Sequence, residues 1–526
     1  MTPPRPVPDM IDLRLVPAAC LGWAASWTTT SPLVDGRASL WIGACLAVVC
    51  LVLCAWATAG RGPRGGAHAL TPGGSVRMAA ALACAVALCC ALTGAAARAR
   101  HDADPAVVAA AGGGGLDLLV ELAGDPAPGG RPIDASFFSA DARVFAVVDG
   151  SGLRRPSRAL VRIRARDWGP YARGDRLRVR GRVDPSFHSD APFIGELRAQ
   201  AETLIERPQG WESWARATRS GLVRACAGLP DQGRALVAGM AVGDDRAMTG
   251  DLATAMRRTS LTHLVAVSGS HIAVVLGAVT HLLPSRRAWR APATLVVLAG
   301  VVALVGPEPS VLRSVAVAAV GVAGLALGRA GQSMTALAAV VVAALVWSPW
   351  ASRSVGFALS VGATAGVVGP AARLTAWADA RLRDDTAPGR ACRRLVGLIA
   401  VPVCAQGCVL PILLALDNRA PVWSVLANVL AGPAVAPATI LALACALVSP
   451  VAPGAAESLA GIASLFTGWV AGVARTLAEW PGAEVEVPGG PAGALAGYAA
   501  AAVLVLVGSA TRRRRRAAER RRRAEP

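Results

Sequence analysis

The sequence predicts a polytopic α-helical membrane protein of about 12 spans, with one small β-barrel domain inserted outside the membrane. Three observations predict it. Long runs such as 291–306 and 431–449 hold no Lys, Arg, Asp or Glu. A hydrophilic stretch at 98–230 interrupts the apolar runs and carries strand-type alternation. Arg clusters recur on one side of the apolar segments, counted in order.

Composition narrows the class further. Of 526 residues, 54% are hydrophobic and 17% charged, where a soluble protein carries about 25% charged. Mean hydropathy is +0.48. A soluble globular enzyme and a disordered chain are both excluded. With 56 Gly and 36 Pro, the mix suits helices that touch through small residues. Basic residues number 53 against 34 acidic ones, and Lys is absent. Every basic group is thus a guanidinium, always charged and able to hold phosphate in a fork. The 12 Cys lie almost entirely in apolar segments without a CxxC pair, so they read as small apolar fillers.

Three apolar segments open the chain, at 15–30, 38–57 and 76–97. The first lacks a compact basic start and a clear cleavage site, so it is expected to be an anchor. Nine more candidate spans follow, near 262–283, 289–306, 309–328, 334–348, 354–370, 396–416, 421–447, 456–478 and 493–509. On this count Arg5, Arg14, Arg61, Arg64, Arg77, Arg286, Arg329, Arg390 and the tail from Arg512 to Arg523 share one side, expected to be the cytoplasm. Both termini then lie in the cytoplasm and 98–230 lies outside. Within that outer stretch, strands are expected at 116–122, 143–148, 159–166, 176–183 and 196–205. Five short strands with Gly, Pro and Asp between them predict an OB-like barrel. The segment 211–229 reads as an amphipathic helix, with Trp211 and Trp214 at headgroup level or packed on the barrel. The expected organisation is 1–97 three transmembrane helices, 98–210 the barrel, 211–260 linker helices, 261–510 the main helical domain and 511–526 an Arg-rich tail.

Two constellations could carry function. In 160–166, Arg162, Arg164 and Arg166 alternate with Val161, Ile163 and Ala165; in 176–183, Arg176, Arg178, Arg180 and Arg182 alternate with apolar residues or Gly. Strand side chains alternate faces, so each strand presents an Arg face. Residues 143–182 hold 12 Arg against Asp149, Asp167 and Asp175. Such guanidiniums repel one another unless an anion is near. A nucleic-acid backbone fits, with Trp168, Tyr171 and Phe187 as stacking candidates; a solvated face or anionic lipid headgroups fit as well. The second constellation, 259–277, places His263, Ser268 and His271 in an apolar span. Polar groups at membrane depth usually face a cavity or a neighbouring helix. A Ser268–His271 nucleophile pair lacks an orienting acid and a GxSxG elbow.

The segment LTHLVAVSGSHIAVV resembles the signature of the ComEC competence proteins, inner-membrane channels for incoming single-stranded DNA. That family typically has Leu where this chain has Ser270. The resemblance continues through PSVLRSVAVAAVG (309–321), SVGFALSVGATAGVV (354–368) and AQGCVLPILLALDNRAPVWSVLANVLAGPAVAP (405–437), and covers about 100–510. It implies a channel in which His263, Ser268, His271, Arg313, Gln406 and Asn428 line a hydrated path, each also readable as helix-to-helix contact. Full-length members carry a C-terminal metallo-β-lactamase-like domain; no HxHxDH cluster occurs here, so the chain is expected to be a shortened form and its nuclease activity is not carried over. The implied function is single-stranded DNA transport without enzymatic chemistry, cofactor or metal. No GxxxxGK[ST] loop occurs, so a helicase or ATPase partner or the proton gradient is expected to drive it, alongside a DNA receptor and a separate nuclease. The rival expectations are a Ser/His membrane hydrolase and a non-conducting DNA-binding or assembly protein.

Overall fold

The computed structural model describes residues 13, 15–31, 72–128, 137–166, 168–184, 192–265, 269–282, 287–306, 311–312, 315–316, 333–382, 386–490 and 492–499. Helices α1 (Val16–Thr29) and α2 (Pro72–Asp102) come first. Asp104 then caps α3 (Pro105–Ala111), accepting the Ala106 N–H at 2.9 Å. Seven strands follow: β1 (Gly115–Leu122), β2 (Ala127–Pro128), β3 (Phe138–Val148), β4 (Arg154–Pro156), β5 (Leu160–Ala165), β6 (Arg176–Asp184) and β7 (Phe193–Glu206). Helices α4 (Trp211–Ala225), α5 (Asp231–Val242), α6 (Gly250–Arg258), α7 (Gly269–Leu282), α8 (Arg287–Val305), α9 (Ser333–Trp347), α10 (Val355–Gly366), α11 (Ala372–Arg381), α12 (Ala387–Leu416), α13 (Ser424–Val448) and α14 (Pro453–Glu479) come next, with short strands β8 (Arg419–Pro421) and β9 (Glu484–Glu486). Two compact units result. One comprises Met1–Gly250, His263–Ala358 and Ala434–Gly468; the other comprises Asp251–Thr262, Leu359–Pro433 and Trp469–Pro526.

Within the first unit, β1 pairs antiparallel with β3 and β6, β6 with β7, and β3 with β5, while β5 and β7 run parallel and close the ring. This closed five-stranded barrel leaves β2 and β4 as additions to β3. Alternation builds it. Leu177, Val179 and Val183 of β6 and Val161, Ile163 and Ala165 of β5 turn inward, meeting Leu118, Val120, Val144 and Leu197. All five expected strands are present. Helix α4 buries Ala215, Thr218, Leu222 and Ala225 and exposes Trp211 and Trp214. Helix α5 is buried along most of its length and packs with α4, α13 and α14 through Ala- and Cys-rich faces.

Among the described residues, five helical stretches are long and apolar enough to cross a membrane: Met78–Asp102, Val355–Arg381, Ala387–Leu416, Ser424–Val448 and Pro453–Glu479. The expected segments near 289–306 and 334–348 are helical, but their apolar parts, Pro292–Val305 and Met334–Trp347, are shorter. Helices α1 and α7 have 14 residues each. Helix α9 ends at Ser348 and Pro349. The segment 38–57, most of 309–328 and the end of 493–509 lie outside the described residues. In the second unit, α10 runs through a π-turn at Val367–Ala371 into α11. A Cβ on Gly366 would strike the Cys404 carbonyl and Ala405 of α12, so the glycine lets two backbones touch.

Candidate functional site

The outer face of the barrel is a belt of cross-strand ion pairs. Arg162 grips Asp141 with two bonds, Nε–Oδ1 at 2.6 Å and Nη2–Oδ2 at 3.0 Å. Arg164 reaches Glu196 at 3.4 Å and lies 4.4 Å from the Phe137 ring centroid. Arg176 bonds Glu121 at 3.2 Å and Glu206 at 3.0 Å. Asp117 receives two bonds from Arg178, at 2.8 and 2.7 Å, and one from Arg180 at 2.7 Å. Arg166 stacks 5.2 Å from Phe137, and Arg182 makes no ion pair among the described residues.

Register explains the belt: Asp141 faces Arg162, Glu121 faces Arg176, Asp117 faces Arg180 and Arg162 faces Glu196. Hydrogen bonds from Arg178, then Arg180, hold the Asp117 carboxyl below its ordinary range. The expectation that seven guanidiniums repel one another until an external anion arrives is therefore corrected. Carboxylates on β1, β3 and β7 neutralise Arg162, Arg164, Arg176, Arg178 and Arg180. Counted over 115–206, 14 Arg meet 13 Asp and Glu, so the barrel is nearly neutral. The window 143–182 omits five of the pairing acids, although their alternation at Asp117/Glu121 and on either side of β5 is visible in the sequence.

The stacking candidates differ as well. Trp168 and Tyr171 meet edge to face at 6.3 Å and pack against the barrel core. The indole Nε1 of Trp168 is buried and has no hydrogen-bond partner among the described residues. Phe187 lies outside the described residues.

Sequence reasoning missed a buried charge joint in the first unit. Asp175 is fully buried, accepts the Ala172 N–H at 2.9 Å and pairs with Arg216 of α4. Asp125 accepts the Arg173 N–H at 2.8 Å. The Arg173 and Arg219 guanidiniums donate to the last carbonyls of α8, Val305 at 2.7 Å and Leu304 at 3.4 Å. Cations at a helix C-terminus satisfy orphan carbonyls and oppose the helix dipole. Gly306 follows with φ +99°, and Arg173 occupies the space a Cβ would need. Burial pushes the Arg219 pKa down, with Asp125 opposing. Nearby, Arg246 grips Asp244 at 2.7 and 2.5 Å. Barrel and helices are thus fastened by electrostatics that no single motif displays.

Among the helical candidates, Ser268 and Arg313 lie outside the described residues. His263 is exposed on the turn Thr262–Leu264, whereas His271 is 2% exposed in the first turn of α7. In the second unit, Asn428 Nδ2 donates to Ser424 O at 2.8 Å, one turn back on its own helix. Gln406, midway along α12 between Pro402 and Pro411, has a buried Nε2 with no hydrogen-bond partner among the described residues. A buried donor left unpaired is costly and points to water or ligand. No group of three or more His, Cys, Asp or Glu among the described residues could hold a metal.

A closed barrel joined to apolar helices of bilayer length defines a multi-span membrane protein with an inserted β-domain. The chain belongs to the competence protein family, whose model matches residues 240–512. It is also similar to ComE operon protein 3 of Bacillus subtilis strain 168, 27% identical over 135 residues. That match covers 25% of this chain and 17% of the relative's length. No solved structure matches.

Proposed function

We propose that this protein carries single-stranded DNA across the cytoplasmic membrane during natural transformation. The observation that carries the reading is the competence family match over 240–512, the part of the chain that supplies most of the long apolar helices. In this reading the helices form the path and the barrel, on the outer side, collects the strand. The ring order, with β5 and β7 parallel at closure, supports an OB-type barrel, an architecture used to hold oligonucleotides. The unpaired donor of Gln406 supports a hydrated path, because a conduit for a polyanion needs donors that bind weakly enough to release. Both termini are cytoplasmic. The protein acts as a transporter without chemistry of its own, and a helicase or ATPase supplies the driving force. A DNA receptor feeds it and a separate nuclease removes the other strand.

Photo-crosslinking tests the path. A photoreactive residue replacing Gln406 should label incoming DNA in competent cells, and one replacing Trp347, 92% exposed on α9, should not. Equal labelling at both positions, or labelling at neither, contradicts the assignment.

A further inference from the structure

We propose that the barrel grips single-stranded DNA at the corner of β3, β4 and β5, with Arg143, Arg154 and Arg158 on phosphates and Phe145 as a stacking ring; this rests on the transport reading above. Charge balance locates the corner. Residues 143–158 hold four Arg and only Asp149, whereas the rest of 115–206 holds 10 Arg and 12 acids; of the acids on neighbouring strands, Glu121 faces Arg143 in register but bonds Arg176. Arg143, Arg154 and Arg158 are exposed and make no ion pair among the described residues. Asp149 is occupied by its own turn, accepting from Ser151 N and Oγ and from Leu153 N, and reaches Arg155 only at 3.6 Å.

The corner is also shaped. Arg143 and Phe145 alternate outward on β3, and Phe145 is 37% exposed. Hydrogen bonds from Val144 N to Ala159 O and from Ser157 N to Phe145 O set Arg158 across from Phe145. Asp104 pins that backbone, accepting from Ser157 Oγ at 2.7 Å and Arg158 N at 2.9 Å. From the other side the Arg176 guanidinium, itself paired with Glu121 and Glu206, stands 5.8 Å from the Phe145 ring centroid. A flat ring bracketed by cations suits a base with its phosphates. Among the described residues strand β4 pairs only with β3, so Arg154 and Arg155 stand at its outer edge. Anionic lipid headgroups would meet the same cations but have no use for the ring.

The full chain in phosphatidylcholine nanodiscs, titrated with fluorescein-labelled oligothymidylate across a range of NaCl, tests this. Replacing Arg143, Arg154 and Arg158 together by Gln should weaken binding at least about ten-fold at low salt. It should also flatten the log–log salt dependence by about 2, since each single-strand phosphate contact contributes about 0.7. Phe145→Leu should weaken binding about ten-fold with the slope unchanged. If wild type binds and the triple variant binds equally, the corner is overturned and the transport reading stands. If wild type does not bind, both fall.

Discussion

Asp117 holds two guanidiniums on one carboxylate, and its replacement reports how far the belt stabilises the barrel. Asp117→Asn leaves Arg178 and Arg180 without their shared partner. The expected loss is about 1 kcal/mol, because these groups are partly solvated. Hydrogen exchange at β1 and β6 amides should quicken accordingly. The pH dependence has a definite sign. A carboxyl with a depressed pKa contributes its full stabilisation above the unfolded value, near about 4, and loses it as pH falls through the native value. Protection of β1 and β6 should therefore decline only below about pH 4, and less steeply in Asp117→Asn. Asp175 is a different case because it is fully buried. Arg216→Ala strands its charge, at a cost of about 3 kcal/mol, seen as a lower unfolding temperature. At this scale the Arg stripe was legible in the sequence and its neutralisation was not. Asp117 sits 61 residues from Arg178, and only strand register brings them together.

Among elements, the barrel was the more legible. Period-2 alternation in β5 and β6 survives directly as inward and outward faces. Among the described residues helix existence was legible too, but which prolines end a helix was not. Ser348 and Pro349 end α9, while Pro402 and Pro411 are absorbed inside the 30-residue α12. Which Pro terminates and which is carried depends on neighbours that satisfy the freed carbonyls. Close approach of α10 to α12 rests on Gly366. Gly366→Val should separate these helices and lower the thermal stability of the purified protein, whereas Gly397→Ala, with open space around it, should leave it within about 0.5 kcal/mol.

For the whole molecule, orientation follows from where Arg stands. Alkaline phosphatase fused after Arg207 should be active and a fusion after Arg381 inactive; the reverse pattern would place the barrel in the cytoplasm, on the wrong side to collect DNA. Arg173 and Arg219 make the barrel more than an appendage, since they close the end of α8. That joint was invisible from sequence, as a backbone carbonyl leaves no residue signature. The family resemblance, by contrast, was legible because its motifs are short, ordered and local. The central claim is passage of a single strand to the cytoplasm. Nuclease-protected labelled DNA should therefore accumulate in cells expressing this chain and disappear on deletion of its gene, returning with complementation. Equal protected DNA with and without the gene would contradict the account.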